Sequence, residues 1–162
     1  MAGITYDCDT AADHFSELIL PAGATPFQVT GKVRLMQTAQ SDDYSPVTRI
    51  AISNQAAAPG PSNEGWAGLR YLVVPPSTRS RVSGALLSFS EKPADGAEGS
   101  RPIGPPSAEE VAFSLVFDGA EVTATMDGKE AKLTFRAARP VVRIVCSTGE
   151  FLYTDLVIRP LD

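Results

Sequence analysis

The one tryptophan, Trp66, lies in the run Asn63-Glu64-Gly65-Trp66-Ala67-Gly68, where a small, polar stretch gives way to the apolar segment 69–74. An indole offers a flat apolar surface on which a sugar ring packs, while nearby amides, carboxylates and guanidinium groups bond the hydroxyls. Asn63, Glu64, Arg70 and Tyr71 stand close enough along the chain to supply those groups. The competing and commoner fate of a large aromatic is burial in a core or at a sheet edge. Exposure of the ring separates the two outcomes, since burial of both ring faces leaves no platform.

Other chemistry-bearing residues point less far. Glycoside hydrolysis needs two carboxylates roughly 5 to 9 Å apart across the scissile bond. Glu91, Asp95 and Glu98 fall in the Pro- and Gly-rich stretch 90–107, where a solvated loop is the simpler reading. Glu109 and Glu110 open a strand-like run, and strand neighbours face opposite ways, so they do not cooperate on one face of a sheet. His14 is the sole histidine, which excludes a histidine-rich zinc site and leaves a Ser-His-Asp system this one residue. Beside Phe15 in a polar segment, it reads as a surface side chain. Asp7 with Asp9, and Asp42 with Asp43, have the oxygen chemistry of calcium ligands, with a solvated surface as the simpler reading. We therefore assign no catalytic residue, no metal ligand and no cofactor, and expect a protein that is not an enzyme.

The elements that must position Trp66 are strands. With 13 Gly and 13 Pro in 162 residues, the chain favours turns over long helices. Apolar content of 43% and charged content of 20% describe a folded chain long enough for a two-layer core, read as one domain over residues 1–162. The formal charge of −5 repels a phosphate backbone unless the ten arginines gather on one face; Arg79 and Arg81 are the only local cluster, so nucleic acid is not an expected partner. No window approaches the eighteen or so apolar residues of a membrane helix, and no membrane partner is expected. The start, Met1-Ala-Gly-Ile-Thr-Tyr-Asp7, has neither a basic region nor an apolar one, so the expected location is cytoplasmic unless a leader was removed. Cys8 and Cys146 are then expected to be reduced, although close first and last strands would let them face each other. Abundant Ala, Gly and Arg with few Lys is a balance found in GC-rich bacteria.

Alternation is clearest in the second half. Val111, Phe113, Leu115 and Phe117 share one parity, Asp118-Gly119 turns the chain, Val122, Ala124 and Met126 follow, and Asp127-Gly128 turns it again into Ala131, Leu133 and Phe135. Asp-Gly between alternating runs is a strong hairpin signal. Phe27, Val29, Gly31, Val33 and Leu35 oppose Gln28, Thr30, Lys32 and Arg34, giving a strand with one dry and one wet face. Ile50 and Ile52 have Arg49 opposite; Val142, Ile144 and Cys146 have Arg143 opposite. Segments 69–74 and 82–89 are apolar on both parities, as in strands covered on both sides. Residues 9–16 are expected to hold at most one helical turn, and 38–46, 55–65 and 90–107 are expected to be loops. The whole predicts about ten or eleven antiparallel strands in an all-β jelly-roll sandwich.

With strands and turns laid out, the chain resembles the concanavalin A-like lectin and glucanase superfamily, laminin G-like sandwiches included. The likeness rests on Leu18-Ile-Leu-Pro21 leading through Pro26-Phe27 to Val33-Arg-Leu35, and on Val142-Arg-Ile-Val-Cys-Ser-Thr-Gly149 with Phe151 and Asp155-Leu-Val-Ile158. It implies two curved antiparallel sheets face to face, with glycans bound on the concave sheet or its rim loops. The Glu-x-Asp-x-x-Glu arrangement of the glucanases does not occur, and the loop carboxylates of the calcium-dependent lectins reduce to Asp42-Asp43. The expected function is a non-catalytic lectin-like domain that binds a glycan through Trp66, Glu64, Asn63, Arg70 and Tyr71. Two alternatives are a structural module that forms a homo-oligomer through its doubly apolar strands and a glycan-active hydrolase.

Overall fold

The structure is a computed structural model that describes residues 3–55, 65–75, 84–94 and 96–161. Its strands are β1 Ile4–Asp9, β2 Phe15–Pro21, β3 Phe27–Thr38, β4 Val47–Asn54, β5 Trp66–Val74, β6 Gly84–Lys92, β7 Gly99–Gly104, β8 Glu110–Phe117, β9 Glu121–Met126, β10 Lys129–Thr134, β11 Pro140–Ser147 and β12 Gly149–Pro160. They pair antiparallel in two six-stranded sheets, the first ordered β1-β12-β3-β8-β9-β10 and the second β2-β11-β4-β5-β6-β7. This is the jelly-roll sandwich that the alternation predicts.

Parity decides what lies between the sheets. Val29 and Val33 of β3, with Val111, Phe113, Leu115 and Phe117 of β8, turn inward and are buried. Ile50, Ile52, Leu69, Tyr71, Val142 and Ile144 meet them from the second sheet. Burying an aliphatic or aromatic side chain contributes on the order of 1.5–3 kcal/mol, which is why a one-residue slip of any strand is disfavoured. A buried polar contact crosses this core: the hydroxyls of Thr48 and Tyr153 lie 2.7 Å apart. Thr48 donates to the Val145 carbonyl at 3.0 Å, so Tyr153 is the donor to Thr48. Burial pushes the Tyr153 hydroxyl pKa far above the usual tyrosine range.

The two Asp-Gly turns form as read. Asp127 and Gly128 have φ of 52° and 81°, the left-handed pair of a tight hairpin. At the other turn the Asp118 carboxylate accepts the N–H groups of Ala120 at 2.9 Å and Glu121 at 2.8 Å, which holds its pKa below the ordinary value.

Three expectations are corrected. Cys8 and Cys146 are not reduced thiols: they form a disulfide, with Cα atoms 6.3 Å apart, that ties edge strand β1 of the first sheet to β11 of the second. The polar segment near residue 16 is part of β2, paired with β11 from Pro21 opposite Val141 to Phe15 opposite Ser147. Its pattern is obscured because Ser16 turns inward to bond Tyr6, at 3.0 Å, while Phe15 and Ile19 turn out. The stretch 90–107 is not a continuous loop, since it holds the end of β6 and the whole of β7. Pro102 fits there because β7 is an edge strand with one unpaired side. Val82 and Ser83 lie outside the described residues, so β6 is described from Gly84.

Candidate functional site on the outer face of the second sheet

The outward parity of the second sheet carries an unusual set of side chains. Across the strands, Val145, Arg49, Arg70 and Ser88 form one row, and Arg143, Ala51, Gly68, Ser90 and Ser100 form the next. Trp66 follows in a third row, opposite Ser53 and Lys92. Small residues make a floor, and long ones lie across it. Ala51, Ser53, Gly68, Ser88 and Ser90 are all buried although they point away from the core. A Cβ on Gly68 would clash with the Ile50 carbonyl oxygen, so no side chain can stand between Trp66 and Arg70. Gly65, with φ of 80°, turns the chain into β5 immediately before the tryptophan.

Trp66 is neither in the core nor free in solvent; it is half-buried on this outer face. The Arg49 guanidinium lies over its ring, 3.7 Å from the centroid, in a cation–π stack. The Lys92 ammonium stands 5.7 Å from the same centroid. The indole Nε1–H donates to Ser90 Oγ at 3.0 Å, and that hydroxyl donates to Glu98 Oε1 at 3.0 Å. Arg70 reaches the same Glu98 oxygen through Nη1 at 3.3 Å and Ser100 Oγ through Nη2 at 3.2 Å. Further along, Arg143 faces Glu17 at 3.8 Å. Burial, the largest influence, lowers the Arg49 pKa, and nearby Arg143 and Arg70 lower it further against Glu98 and Glu17.

This network leaves polar atoms over. Arg70 Nε, Arg143 Nε and Ser88 Oγ are buried and have no hydrogen-bond partner among the described residues. Arg143 is only 7% exposed and Ser88 only 2%. Polar groups removed from water are almost always satisfied, and each orphan costs about 1–3 kcal/mol. Three orphans on one face of one sheet are what a polar ligand would satisfy.

Of the five residues expected to form a site, the structure brings Trp66 and Arg70 together on this face. Tyr71 is one position out of phase: it points into the core, packed edge-on against Phe151 with ring centroids 5.5 Å apart. Burial raises its pKa. Asn63 and Glu64 lie outside the described residues. Arg49, Arg143, Ser88, Ser90 and Glu17 were not among the expected site residues. Their only signal is outward parity in strands whose lateral order the sequence does not state. Glu98, read as a solvated loop residue, is a member of the network. Asp95, also read as a loop carboxylate, lies outside the described residues.

The remaining candidates lie elsewhere. Glu91 pairs with Arg101 at 3.2 Å. Glu109, just ahead of β8 and so free of its alternation, pairs with Arg34 at 3.2 Å, and Glu110 with Lys32 at 3.9 Å, both on the exposed face of the first sheet. His14 is exposed in the β1–β2 turn. The neighbouring Asp7 carboxyl, with Asp9 also nearby, raises the Glu150 pKa. Asp42 and Asp43 are exposed. No group of three or more His, Cys, Asp or Glu side chains able to hold a metal ion occurs among the described residues. A groove of about 740 Å³ at one rim, lined by Gln40, Asp42, Tyr44, Val73 and Val74 among others, has no orphaned buried side-chain atom. No helix among the described residues is long and apolar enough to cross a membrane.

No protein-family model matches the sequence, and no curated protein matches it. Solved structures do. The VIP36 exoplasmic/lumenal domain in a Ca²⁺- and mannose-bound form aligns with a TM-score of 0.58 at 9% identity, over 97% of this chain and 83% of that one. The alginate lyase AlyC3 in complex with dimannuronate aligns with a TM-score of 0.60 at 12% identity, over 96% and 73%. The carbohydrate-binding module CBM66 from Bacillus subtilis aligns with a TM-score of 0.56 at 8% identity, over 98% and 96%. The fold is the concanavalin A-like jelly roll. At these identities the likeness is one of architecture, as the core and turn residues at the two ends of the chain imply.

Proposed function

We propose that the chain is a non-catalytic, lectin-like domain that binds a carbohydrate on the outer face of its second sheet, beside Trp66. The observation that carries this is the half-buried indole set in a floor of small residues, next to three buried polar atoms that lack partners. An apolar surface edged by hydroxyls and guanidinium groups has the mixed chemistry of a sugar ring. A carbohydrate-binding module and the mannose-bound VIP36 exoplasmic/lumenal domain among the solved structures of this fold support the same reading.

Catalysis is disfavoured by spacing. Among the described residues Glu17 and Glu98 are the carboxylates of this face, Glu17 on β2 and Glu98 beside Ser90 of β6, four strands away. At the usual interstrand spacing they are on the order of 15–20 Å apart, well beyond the reach of a paired hydrolytic mechanism. Each also faces an arginine. For the location, the disulfide favours an oxidising compartment over the cytoplasm.

Because Trp66 is the sole tryptophan, its fluorescence reports this face alone. Titration with a panel of neutral and acidic oligosaccharides is expected to change that emission saturably, and Trp66→Ala to abolish binding measured calorimetrically. No binding to any sugar of the panel refutes the assignment. The oligomer reading has its own support: Phe15 and Ile19, 74% and 46% exposed, stand on the outward side of edge strand β2. Light scattering that gives a monomer at high concentration removes it.

A further inference from the structure

The outer face of the second sheet is cationic in a chain whose net charge is −5. Arg49, Arg70, Arg143 and Lys92 stand on it, with Glu17 and Glu98 as its carboxylates among the described residues. The surplus charge is placed awkwardly for a structural role. Arg49 and Arg70 are directly opposite each other on β4 and β5. Like charges at such positions repel. Arg143 is one row away and nearly buried, with its Nε unpartnered. Arg49 has no carboxylate within ion-pair distance among the described residues; it rests on the indole instead. A guanidinium is a planar fork matched to a carboxylate, and a buried one that lacks its anion is costly.

We propose that the sugar taken by this face is a carboxylated one, of the uronic acid type, whose carboxylate sits between Arg49 and Arg70 while a ring hydroxyl bonds Ser88. The inference rests on the carbohydrate assignment above and specifies its ligand class. The anion removes the Arg49–Arg70 repulsion; its carboxylate oxygens accept from the orphaned Arg70 Nε, and the ring hydroxyl partners Ser88 Oγ. A neutral sugar satisfies the hydroxyl but leaves the guanidinium groups as they were. The unliganded protein therefore carries an electrostatic cost that the ligand relieves.

The test uses the full chain and three probes of equal length: a uronate oligosaccharide, its carboxyl-reduced neutral counterpart, and a sulfated oligosaccharide of neutral sugars. Affinities are measured by Trp66 fluorescence and calorimetry at low and high salt. The uronate is expected to bind about tenfold or more tightly than the neutral form, with an affinity that falls as salt rises. Arg49→Gln and Arg70→Gln are each expected to lower uronate affinity about tenfold and neutral-sugar affinity by much less, so that the preference for the uronate over its reduced form and its salt dependence shrink together. Equal affinity for the uronate and its reduced form overturns this inference and leaves the carbohydrate assignment standing. Preference for the sulfated probe overturns the carboxylate assignment. Silence toward all three probes overturns both.

Discussion

The two outer faces of this sandwich are built from the same strand geometry and differ in almost everything else. On the first sheet the outward residues Lys32, Arg34, Glu110 and Asp155 are solvated. Their ion pairs, Lys32 with Glu110 at 3.9 Å, Lys32 with Asp155 at 3.6 Å and Arg34 with Glu109 at 3.2 Å, hold side chains 45–85% exposed. Such pairs contribute about 0–1 kcal/mol. On the second sheet the outward Arg143, Ser88 and Ser90 are buried, and the small residues Ala51 and Gly68 let Trp66 and Arg49 lie flat across them. One face discards its charges into water. The other keeps them where water is scarce, at a cost to stability that a binding surface justifies and a plain exterior does not.

The tie between the sheets should give the largest effect. Cys8 and Cys146 close a loop of 138 residues, so reduction, or Cys146→Ala, is expected to cost about 2–5 kcal/mol in denaturant unfolding. Failure of iodoacetamide labelling to depend on a reductant would remove the bond. Next in size, Gly68→Ala forces a Cβ against the Ile50 carbonyl and should cost about 1–3 kcal/mol and weaken binding together. An outward substitution on the first sheet such as Thr123→Ala should stay within about 0.5 kcal/mol. Arg143→Leu places an apolar side chain where a nearly buried guanidinium sat. Without ligand it is expected to leave stability within about 1 kcal/mol or raise it. A loss beyond about 3 kcal/mol would make Arg143 a scaffold residue and erase the contrast between the faces. Lys32→Ala serves as the paired control, with a change under about 0.5 kcal/mol.

The smallest effects concern pH. Asp118 has a lowered pKa through its bonds to Ala120 and Glu121, so its stabilising contribution is present above its unfolded value and is lost as pH falls through the folded one. Glu150 is the reverse case: its pKa is raised by Asp7, so the folded state is favoured when it is protonated, and that contribution is lost as pH rises through the folded value. Asp118→Asn should flatten the acid limb of a stability profile, and Glu150→Gln should raise stability at neutral pH. Identical profiles for wild type and both variants would contradict these assignments.

How much of this was legible in the chain follows from the range of each interaction. Alternation around Val29 and Phe113 gave the interior parity correctly, and Asp127-Gly128 gave its hairpin, because both are set by neighbours two to four positions apart. Trp66 and Arg70 could be paired for the same reason: they share a parity on one strand. Tyr71 was placed on the wrong side by nearness in sequence, where parity excludes it. β2 escaped notice because an edge strand needs only one dry side, and its outward Phe15 and Ile19 confuse the pattern.

Local pattern therefore establishes which side chains of each strand face oil and which face water, since that depends on a period of two and on turn chemistry alone. It says nothing of which strands lie side by side. Arg49, Arg70 and Arg143, scattered over the chain, meet only because β11, β4 and β5 are neighbours in the second sheet, and Cys8 finds Cys146 only because β1 and β11 face each other across the core. Lateral order comes from long-range pairing, in which many weak contacts between distant segments are chosen together, and no short window of residues encodes it.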